Sequence, residues 1–165
     1  MAKPRSPRGG ARPGAGRPPH GPISSEPHQR RPRVLPSQPV HVVMRCAPVV
    51  ATMSGADLHA ALRTATLVAA KHAGFRIVRI GMTGEALQLI VEADDRLWLA
   101  RGMLAFQISA ARQINRHLGR RGKVVLDRYR PTVLATPPLV RAALAALRPL
   151  DDLITWAPRT ALLAR

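Results

Sequence analysis

Cysteine and aromatic residues are scarce in this chain of 165 residues. The single cysteine, Cys46, excludes an intrachain disulfide and a zinc site built from several cysteines, and it favours a reducing cytoplasm as the location. The aromatic residues are two tryptophans, two phenylalanines and one tyrosine, and none of them form an evident pair on a predicted strand. This scarcity disfavours the base-stacking sheet surface that many RNA-binding domains use.

Long apolar runs are missing as well. No segment approaches the roughly 20 apolar residues that a membrane helix needs. Residues 1–40 also lack the apolar core of a signal peptide. We therefore expect no membrane partner.

Acidic residues are few and basic residues are many. Nine aspartates and glutamates stand against 26 lysines and arginines, which gives a formal net charge of +17 and a pI near 12.0. Such an excess favours a polyanionic partner, most often a nucleic acid. A DNA partner would place the protein at the nucleoid.

Composition divides the chain into a tail, one domain and a short end. The tail, residues 1–38, is rich in proline, glycine and arginine; up to Pro39 there are eight basic residues, ten prolines and one acid, Glu26. Too little apolar surface is present there to offset the entropy of ordering, which predicts disorder. Gly16-Arg17-Pro18 resembles the core of a minor-groove AT-hook peptide, although a solvated basic linker is the simpler interpretation. Residues 39–149 form the domain, and residues 150–165 form a short remnant.

Within the domain, hydrophobic periodicity and turn residues predict the elements. The clearest signal is a hairpin that turns at Thr83-Gly84, and Ser54 is placed to cap the first helix, which Gly74 ends. The predicted strands cover residues 41–47, 75–82, 86–92 and 123–134, and the predicted helices cover residues 54–73, 95–118 and 137–148. This order predicts an α+β fold of ferredoxin-like type, with helices packed on one face of an antiparallel sheet.

The strand over residues 86–92 sets the direction of its side chains. Alternation places Leu87 and Leu89 on the core face and Ala86 and Gln88 on the opposite face, which we expect to be open to a partner. On the long helix, the predicted buried stripe comprises Leu97, Ala100, Leu104, Ile108, Ala111 and Leu118.

Residues 83–91, TGEALQLIV, resemble a motif of the single-tyrosine transposases, in particular the REP-associated tyrosine transposases of bacteria. That motif carries a His-hydrophobic-His pair, which holds a divalent metal ion, magnesium or manganese, at the DNA phosphate. By this resemblance Ala86 and Gln88 stand at the positions of the two histidines. Alanine cannot bind a metal ion, and glutamine offers only a neutral carbonyl oxygen, so we expect no metal cofactor.

Two further segments extend the resemblance to residues 32–146. Residues 115–130 are similar to the family's Asn-Arg, Gly-Arg, Gly and Arg-Tyr segment, and the matching residues are Asn115, Arg116, Gly119, Arg120, Gly122, Arg128 and Tyr129. The helix at residues 137–148 resembles the one that carries the nucleophilic tyrosine, whose position here is Ala146. The resemblance thus implies a lost nucleophile as well as a lost metal site.

The basic residues of this part of the chain are present, although the metal-binding histidines and the nucleophilic tyrosine of the family are not. The basic residues that we expect to contact DNA are Arg101, Arg112, Arg116, Arg120, Arg121, Lys123, Arg128 and Arg130. The first hypothesis is a degenerate transposase-like protein that binds single-stranded or hairpin DNA without cleaving it, as a monomer or a homodimer. Whether any enzymatic activity survives is left open.

Three alternatives remain at this point. The first is a residual nuclease that binds a divalent metal ion through the amide of Gln88, the carboxylate of Glu92 or another carboxylate. The second is an RNA-binding or regulatory protein, and the third is a decaying reading frame without a selected role. Three other residues have simpler structural interpretations. We interpret His41 as a hydrogen-bonding residue, Cys46 as a small buried side chain and Tyr129 as a packing residue.

Overall fold

The computed structural model describes residues 32–148, 150, 153 and 155–164. Most of the predicted tail, including Gly16-Arg17-Pro18, lies outside the described residues. Val34, which composition assigns to the tail, is 4% exposed and packs in the main core. The ordered unit therefore includes residues that precede the first strand.

Four strands and four helices make up the described fold. They are β1 (Val40–Arg45), α1 (Pro48–Ala51), α2 (Gly55–Ala69), β2 (Phe75–Thr83), β3 (Ala86–Ala93), α3 (Arg96–His117), β4 (Arg130–Val133) and α4 (Pro137–Ala146). The strands form one sheet in the order β2-β3-β1-β4, and every neighbouring pair is antiparallel. The predicted α+β class with an antiparallel sheet is confirmed.

All the predicted elements are present, but their extents differ in places. Helix α2 ends at Ala69, four residues before its predicted end, and two further differences are larger. The short helix α1 follows Ala47 directly and was not predicted. The last strand was predicted over residues 123–134, but β4 contains only Arg130–Val133. Residues 122–128 instead form an irregular segment, which is joined to the end of β1 by a single bridge between Cys46 and Val125.

Side-chain caps start the two long helices. The Ser54 hydroxyl oxygen accepts from the Asp57 N–H at 3.1 Å at the start of α2. Asp95 caps α3 by accepting from the backbone N–H groups of Leu97 and Trp98 at 2.6 and 2.8 Å. Each such cap contributes about 1 kcal/mol.

Helices α2 and α3 cover one face of the sheet and enclose the main core. The core-facing strand residues include Val42 and Met44 on β1 and Leu87 and Leu89 on β3. Gly102 on α3 allows this close packing, because a Cβ atom there would lie 2.1 Å from the ring of Phe75. The sheet and its helix layer are thus held together by one continuous apolar cluster.

The buried stripe predicted for α3 is wrong in its main members. Leu97, Leu104 and Ile108 are 54, 58 and 44% exposed, and only the edge residues Ala111 and Leu118 pack against the core. The residues of α3 that the core buries are Leu99, Gly102, Met103, Phe106, Ser109, Ala110 and Ile114. Apolar residues recur at helical spacing on both sides of α3, so periodicity alone could not decide between the two stripes.

The opposite face of the sheet is also partly covered. Helix α4 places Val140, Ala143 and Leu147 against Ile90 of β3 and Leu134, in a second apolar cluster. The expectation that this face is left open is therefore correct only at the end of the sheet that carries Ala86. The prediction is wrong for this part of the face because α4 packs on it at Ile90 and Leu134 instead of joining α2 and α3 on the other face.

The residues after α4 run along the outer edge of β2. The carbonyl oxygen of Arg148 accepts from the Met82 N–H at 3.2 Å, and the N–H groups of Leu150 and Trp156 donate to Ile80 and Ile77, both at 3.0 Å. The described residues of this segment, which the sequence analysis gives as a short remnant, thus cover an edge that would otherwise be unpaired. Among the described residues, no helix combines the length and apolar character needed to cross a membrane.

Candidate nucleic-acid interface

The two strand positions singled out in the sequence lie on the sheet face away from α2 and α3. Ala86 pairs in register with Arg45 of β1, and Gln88 pairs with Val43. Gln88 is 9% exposed, and its side-chain oxygen lies 2.9 Å from Nε2 of His41. The amide is therefore held by a strand neighbour, and His41 has the hydrogen-bonding role that was predicted for it.

A cleft of about 260 Å³ opens beside Ala86. Its walls come from β1, β3 and the chain that leads into β4, and the lining residues are Val43, Arg45, Ala86, Asp127, Arg128 and Arg130. Because Ala86 has the smallest side chain on this wall, nothing at that position fills the space. Three arginines and one aspartate make the cleft basic.

The backbone builds this cleft by fastening the irregular segment to the end of β1. The N–H of Leu126 donates to the carbonyl of Arg45 at 2.9 Å, and the N–H of Ala47 donates to that of Val124 at 2.7 Å. These bonds bring Asp127 to 3.8 Å from the Arg45 guanidinium. Arg45 is thereby oriented on the same rim as Arg128 and Arg130.

Arg45 was missed in the sequence, although a signal for it is present. In β1, alternation places His41, Val43 and Arg45 on one face. The antiparallel register then sets Arg45 opposite Ala86. The ferredoxin-like fold expected from the sequence places β1 beside β3, but the sequence does not set the register of the two strands, so the pairing of Arg45 with Ala86 was not predicted.

The eight basic residues predicted to contact DNA do not form one patch. Arg128 and Arg130 line the cleft. Arg101, Arg112 and Arg116 lie on α3, which packs on the other face of the sheet, and all three are exposed. The remaining residues, Arg120, Arg121 and Lys123, follow α3 in the connection to the irregular segment.

The position that corresponds to the family nucleophile is exposed on α4. Ala146 lies on the helix that covers the same sheet face as Ala86 and Gln88, but it does not line the cleft. Tyr129, the chain's one tyrosine, is 6% exposed and lies in the main core cluster. Its predicted packing role is therefore confirmed.

Glu92 was considered as a carboxylate for a residual nuclease, and the structure gives it a different environment. It is 4% exposed. The two carboxylate oxygens accept from the Arg159 N–H at 3.0 and 2.8 Å, and Oε1 also accepts from the N–H and the hydroxyl of Thr160, both at 2.9 Å. In the described part of the chain, no three His, Cys, Asp or Glu side chains form a group suited to a metal ion.

Cys46 lies at the end of β1 with 1% exposure. Burial raises the pKa of its thiol from 9.0 to about 11, against a smaller opposing effect of a backbone hydrogen bond from Leu87. The thiol is therefore protonated at neutral pH, as expected for a small buried side chain.

No protein-family model matches the chain, and no curated protein is similar enough in sequence to count as a match.

Proposed function

We propose that the protein binds the phosphate backbone of DNA, single-stranded or in hairpins, and does not cleave it. The observation that carries this proposal is the convergence of Arg45, Arg128 and Arg130 around the cleft beside Ala86. These residues come from two separate parts of the chain, and the fold brings them to one end of the sheet. Arginine suits phosphate because its planar group donates two parallel hydrogen bonds.

The size of the cleft supports a phosphate contact over a pocket for a whole nucleotide. Its volume of about 260 Å³ is below the roughly 300–1,000 Å³ of pockets that enclose a drug-sized ligand. An arginine has five N–H donors, so the ion pair of Arg45 with Asp127 leaves donors for a phosphate oxygen. The net charge of +17 adds a long-range attraction for any polyanion.

The lack of cleavage in this proposal rests on the positions that the resemblance to the transposases assigns to catalysis. Alanine at position 146 provides no hydroxyl for attack on phosphorus, and Gln88 is hydrogen-bonded to His41. Without a nucleophile, the covalent step of a tyrosine transposase has no beginning. The arginines would position and neutralise a phosphate, which is a binding function.

The test is the binding of a labelled DNA hairpin to the full chain at several salt concentrations. Each phosphate contact contributes a slope of roughly −0.7 in log K against log salt for single strands. We expect Arg128→Gln with Arg130→Gln to weaken binding and to make the slope shallower by about 1 to 1.5. Arg63→Gln, at an exposed arginine of α2, serves as the control.

Two results would contradict the proposal. One is an affinity that does not change with salt, and the other is an equal loss for the control and for the cleft variant. A duplicate titration with RNA of the same sequence separates DNA from RNA as the partner. Tighter binding of RNA would replace the proposed function by the RNA-binding alternative.

A further inference from the structure

The outer face of α3 carries an apolar stripe that the core does not use. Leu97, Leu104 and Ile108 are 54, 58 and 44% exposed. Their spacings of seven and four residues place them on one side of the helix. Single exposed leucines are common on protein surfaces, but Leu104 and Ile108 lie one turn apart and line one groove, which is an arrangement that can mark an interaction site.

A groove lies along this stripe. Its volume is about 550 Å³, and it runs between α3 and the irregular segment after it. Leu104, Ile108 and Ala111 form one wall, and Val124 and Val125 form the other. The groove is thus apolar on both sides and about twice the volume of the cleft on the sheet face.

Basic residues frame the groove. Lys123 and Arg128 stand at its wall, and Arg112 is exposed on the next turn of α3. Arg101 lies between Leu97 and Leu104, with its guanidinium carbon 5.6 Å from the centre of the Trp98 ring. This cation-π contact holds one positive charge at the edge of the stripe.

We infer that the outer face of α3 is a docking site for an amphipathic helix of an acidic partner protein. Apolar side chains on successive turns of that helix would enter the groove beside Leu104 and Ile108, as in other helix-in-groove complexes. Its flanking glutamates or aspartates would face Arg101, Arg112 and Lys123. Asp127 and Arg128 line both this groove and the cleft beside Ala86. The inference can still be tested apart from the proposed DNA binding, because the variants below leave both residues unchanged.

Charge favours an acidic helix in this groove over two other occupants, a second copy of the chain and the chain's own basic tail. A second copy of the chain would bring another +17 charges to a face that is framed by arginines. The chain's own residues 1–39 contain eight basic residues and one acid, so they are repelled as well. The acid in the groove wall, Asp127, is 3.8 Å from Arg45, which reduces its ability to attract a basic helix.

The side chains of this groove favour a protein as the bound partner over a nucleic acid. Phosphates would match the arginines, but the exposed groove residues Leu104 and Ile108 are aliphatic. The aromatic residue in the lining, Tyr129, is only 6% exposed, so unpaired bases find little aromatic surface on which to stack. The ring of Trp98 is already occupied by Arg101. An apolar centre with a charged rim is instead the arrangement found in protein interfaces.

The experiment measures binding of a fluorescent peptide to the full-length protein. The peptide is designed as a helix of about four turns, with leucines along one face and glutamates on both flanks. A second peptide has lysines in place of the glutamates, and a third has the first composition in scrambled order. We expect the glutamate peptide to bind at least about tenfold tighter than either, a difference of about 1.4 kcal/mol.

Variants of the protein locate the site. Leu104→Gln with Ile108→Gln should weaken the glutamate peptide about tenfold or more, because the apolar contacts at the centre are lost. Leu139→Gln with Leu144→Gln is the matched control, since these α4 residues are exposed to similar degrees, 44 and 39%, on the other side of the sheet. Arg101→Gln with Arg112→Gln should weaken binding mainly at low salt.

Three outcomes would overturn the inference. The first is equal binding of the three peptides, or equal effects of the groove variant and its control. The second is a dimer of the full chain in sedimentation that Leu104→Gln with Ile108→Gln dissociates, which would make a second copy the occupant. The third is loss of hairpin DNA binding in the same variant, which would make the face a nucleic-acid surface.

Discussion

Glu92 and Thr160 are joined by two hydrogen bonds, because Oε1 of the carboxylate accepts both the backbone N–H and the hydroxyl of Thr160 at 2.9 Å. The same carboxylate accepts the Arg159 N–H. Glu92 lies on the sheet face opposite the main core, where an unpaired buried charge would be costly. The chain after α4 returns to this carboxylate and encloses it with donors.

Replacement of Glu92 should therefore loosen the end of the chain. In Glu92→Gln, the side-chain amide keeps one oxygen that can accept a hydrogen bond. Its NH₂ group replaces the other oxygen and then faces the backbone N–H groups of Arg159 and Thr160, which are donors as well, so hydrogen bonds are lost. We expect a loss of about 2–3 kcal/mol in the free energy of unfolding, since hydrogen bonds to charged groups are worth about 1.5–3 kcal/mol.

Urea denaturation followed by circular dichroism measures this loss. Glu85→Gln is the control, because Glu85 is exposed in the β2–β3 turn. If both variants unfold at the same urea concentration, the contacts of Glu92 do not contribute to stability as described.

Gly81 should be intolerant of any side chain. A Cβ atom at this position would lie 2.1 Å from the carbonyl oxygen of Arg148 and 2.6 Å from the Leu147 side chain. Gly81→Ala should push the segment after α4 away from the edge of β2 and break the bond from the Met82 N–H to Arg148. Hydrogen exchange should then become faster at the Met82, Leu150 and Trp156 amides.

The control for this substitution is Gly55→Ala. No atom lies within 4 Å of a Cβ built at Gly55, and its position in the first turn of α2 favours alanine by roughly 0.4–1 kcal/mol. Unchanged exchange at the three amides in Gly81→Ala would show that the edge contact is not tight.

Local sequence signals predicted the β2–β3 hairpin well, but they overestimated the length of β4 and did not indicate what covers the sheet. The hairpin was predicted correctly from its turn residues and the alternation in β3, but its loop is Gly84-Glu85 and not Thr83-Gly84, because Thr83 belongs to β2 and pairs with Ala86. Gly84 has the positive φ of 57° that favours glycine in such a loop. Local signals of this kind act over a few residues. They specify strands and caps, such as Ser54 and Asp95, without information about distant partners.

The elements that were misassigned depend on contacts between distant segments. Either stripe of α3 would make an amphipathic helix, and the burial of Phe106 and Met103 is decided by their fit to α2 and the sheet. Likewise, nothing local to α4 indicates which sheet face it covers. The rim of the candidate cleft combines Arg45 with Arg128 and Arg130, which are far apart in sequence, so pattern alone found only the latter two.

Stability should decrease in alkaline solution because of Cys46. Its pKa is about 11 in the folded protein, against 9.0 for an unperturbed thiol. The folded state holds the proton more tightly, so the stabilisation is complete below pH 9 and is lost as the pH rises toward 11. The limit of this loss is about 2–3 kcal/mol, at 1.36 kcal/mol for each pKa unit.

Comparison with Cys46→Ala isolates this effect from other groups that titrate at high pH. We expect the unfolding free energy of the unsubstituted protein to fall more steeply between pH 9 and 11 than that of Cys46→Ala. The thiol of the folded protein should also react slowly with a disulfide reagent at pH 8 and rapidly in urea. Parallel pH curves, or fast reaction of the folded protein, would contradict the burial of the thiol.

His41, Ala86 and Gln88 share the sheet face away from α2 and α3. Residues 86 and 88 are two apart on β3, so their side chains leave the sheet on the same side about 7 Å apart. His41 already reaches the side chain of residue 88, at 2.9 Å. The double variant Ala86→His with Gln88→His should therefore bring three imidazoles together and bind zinc or cobalt(II).

Calorimetry and the visible spectrum of cobalt measure that binding. His41→Ala in the double variant removes one metal ligand. It should lower the affinity for zinc or cobalt(II) at least about tenfold, a loss of the size that changes around metal sites usually cause. Equal affinity with and without His41 would show that its ring does not reach the site. The further addition of Ala146→Tyr tests the resemblance to the transposases, although Ala146 is exposed on α4 and does not line the cleft. A labelled DNA strand that becomes covalently attached to the tyrosine, with release of the free DNA hydroxyl, in the presence of manganese would support the resemblance, and no attachment would count against it.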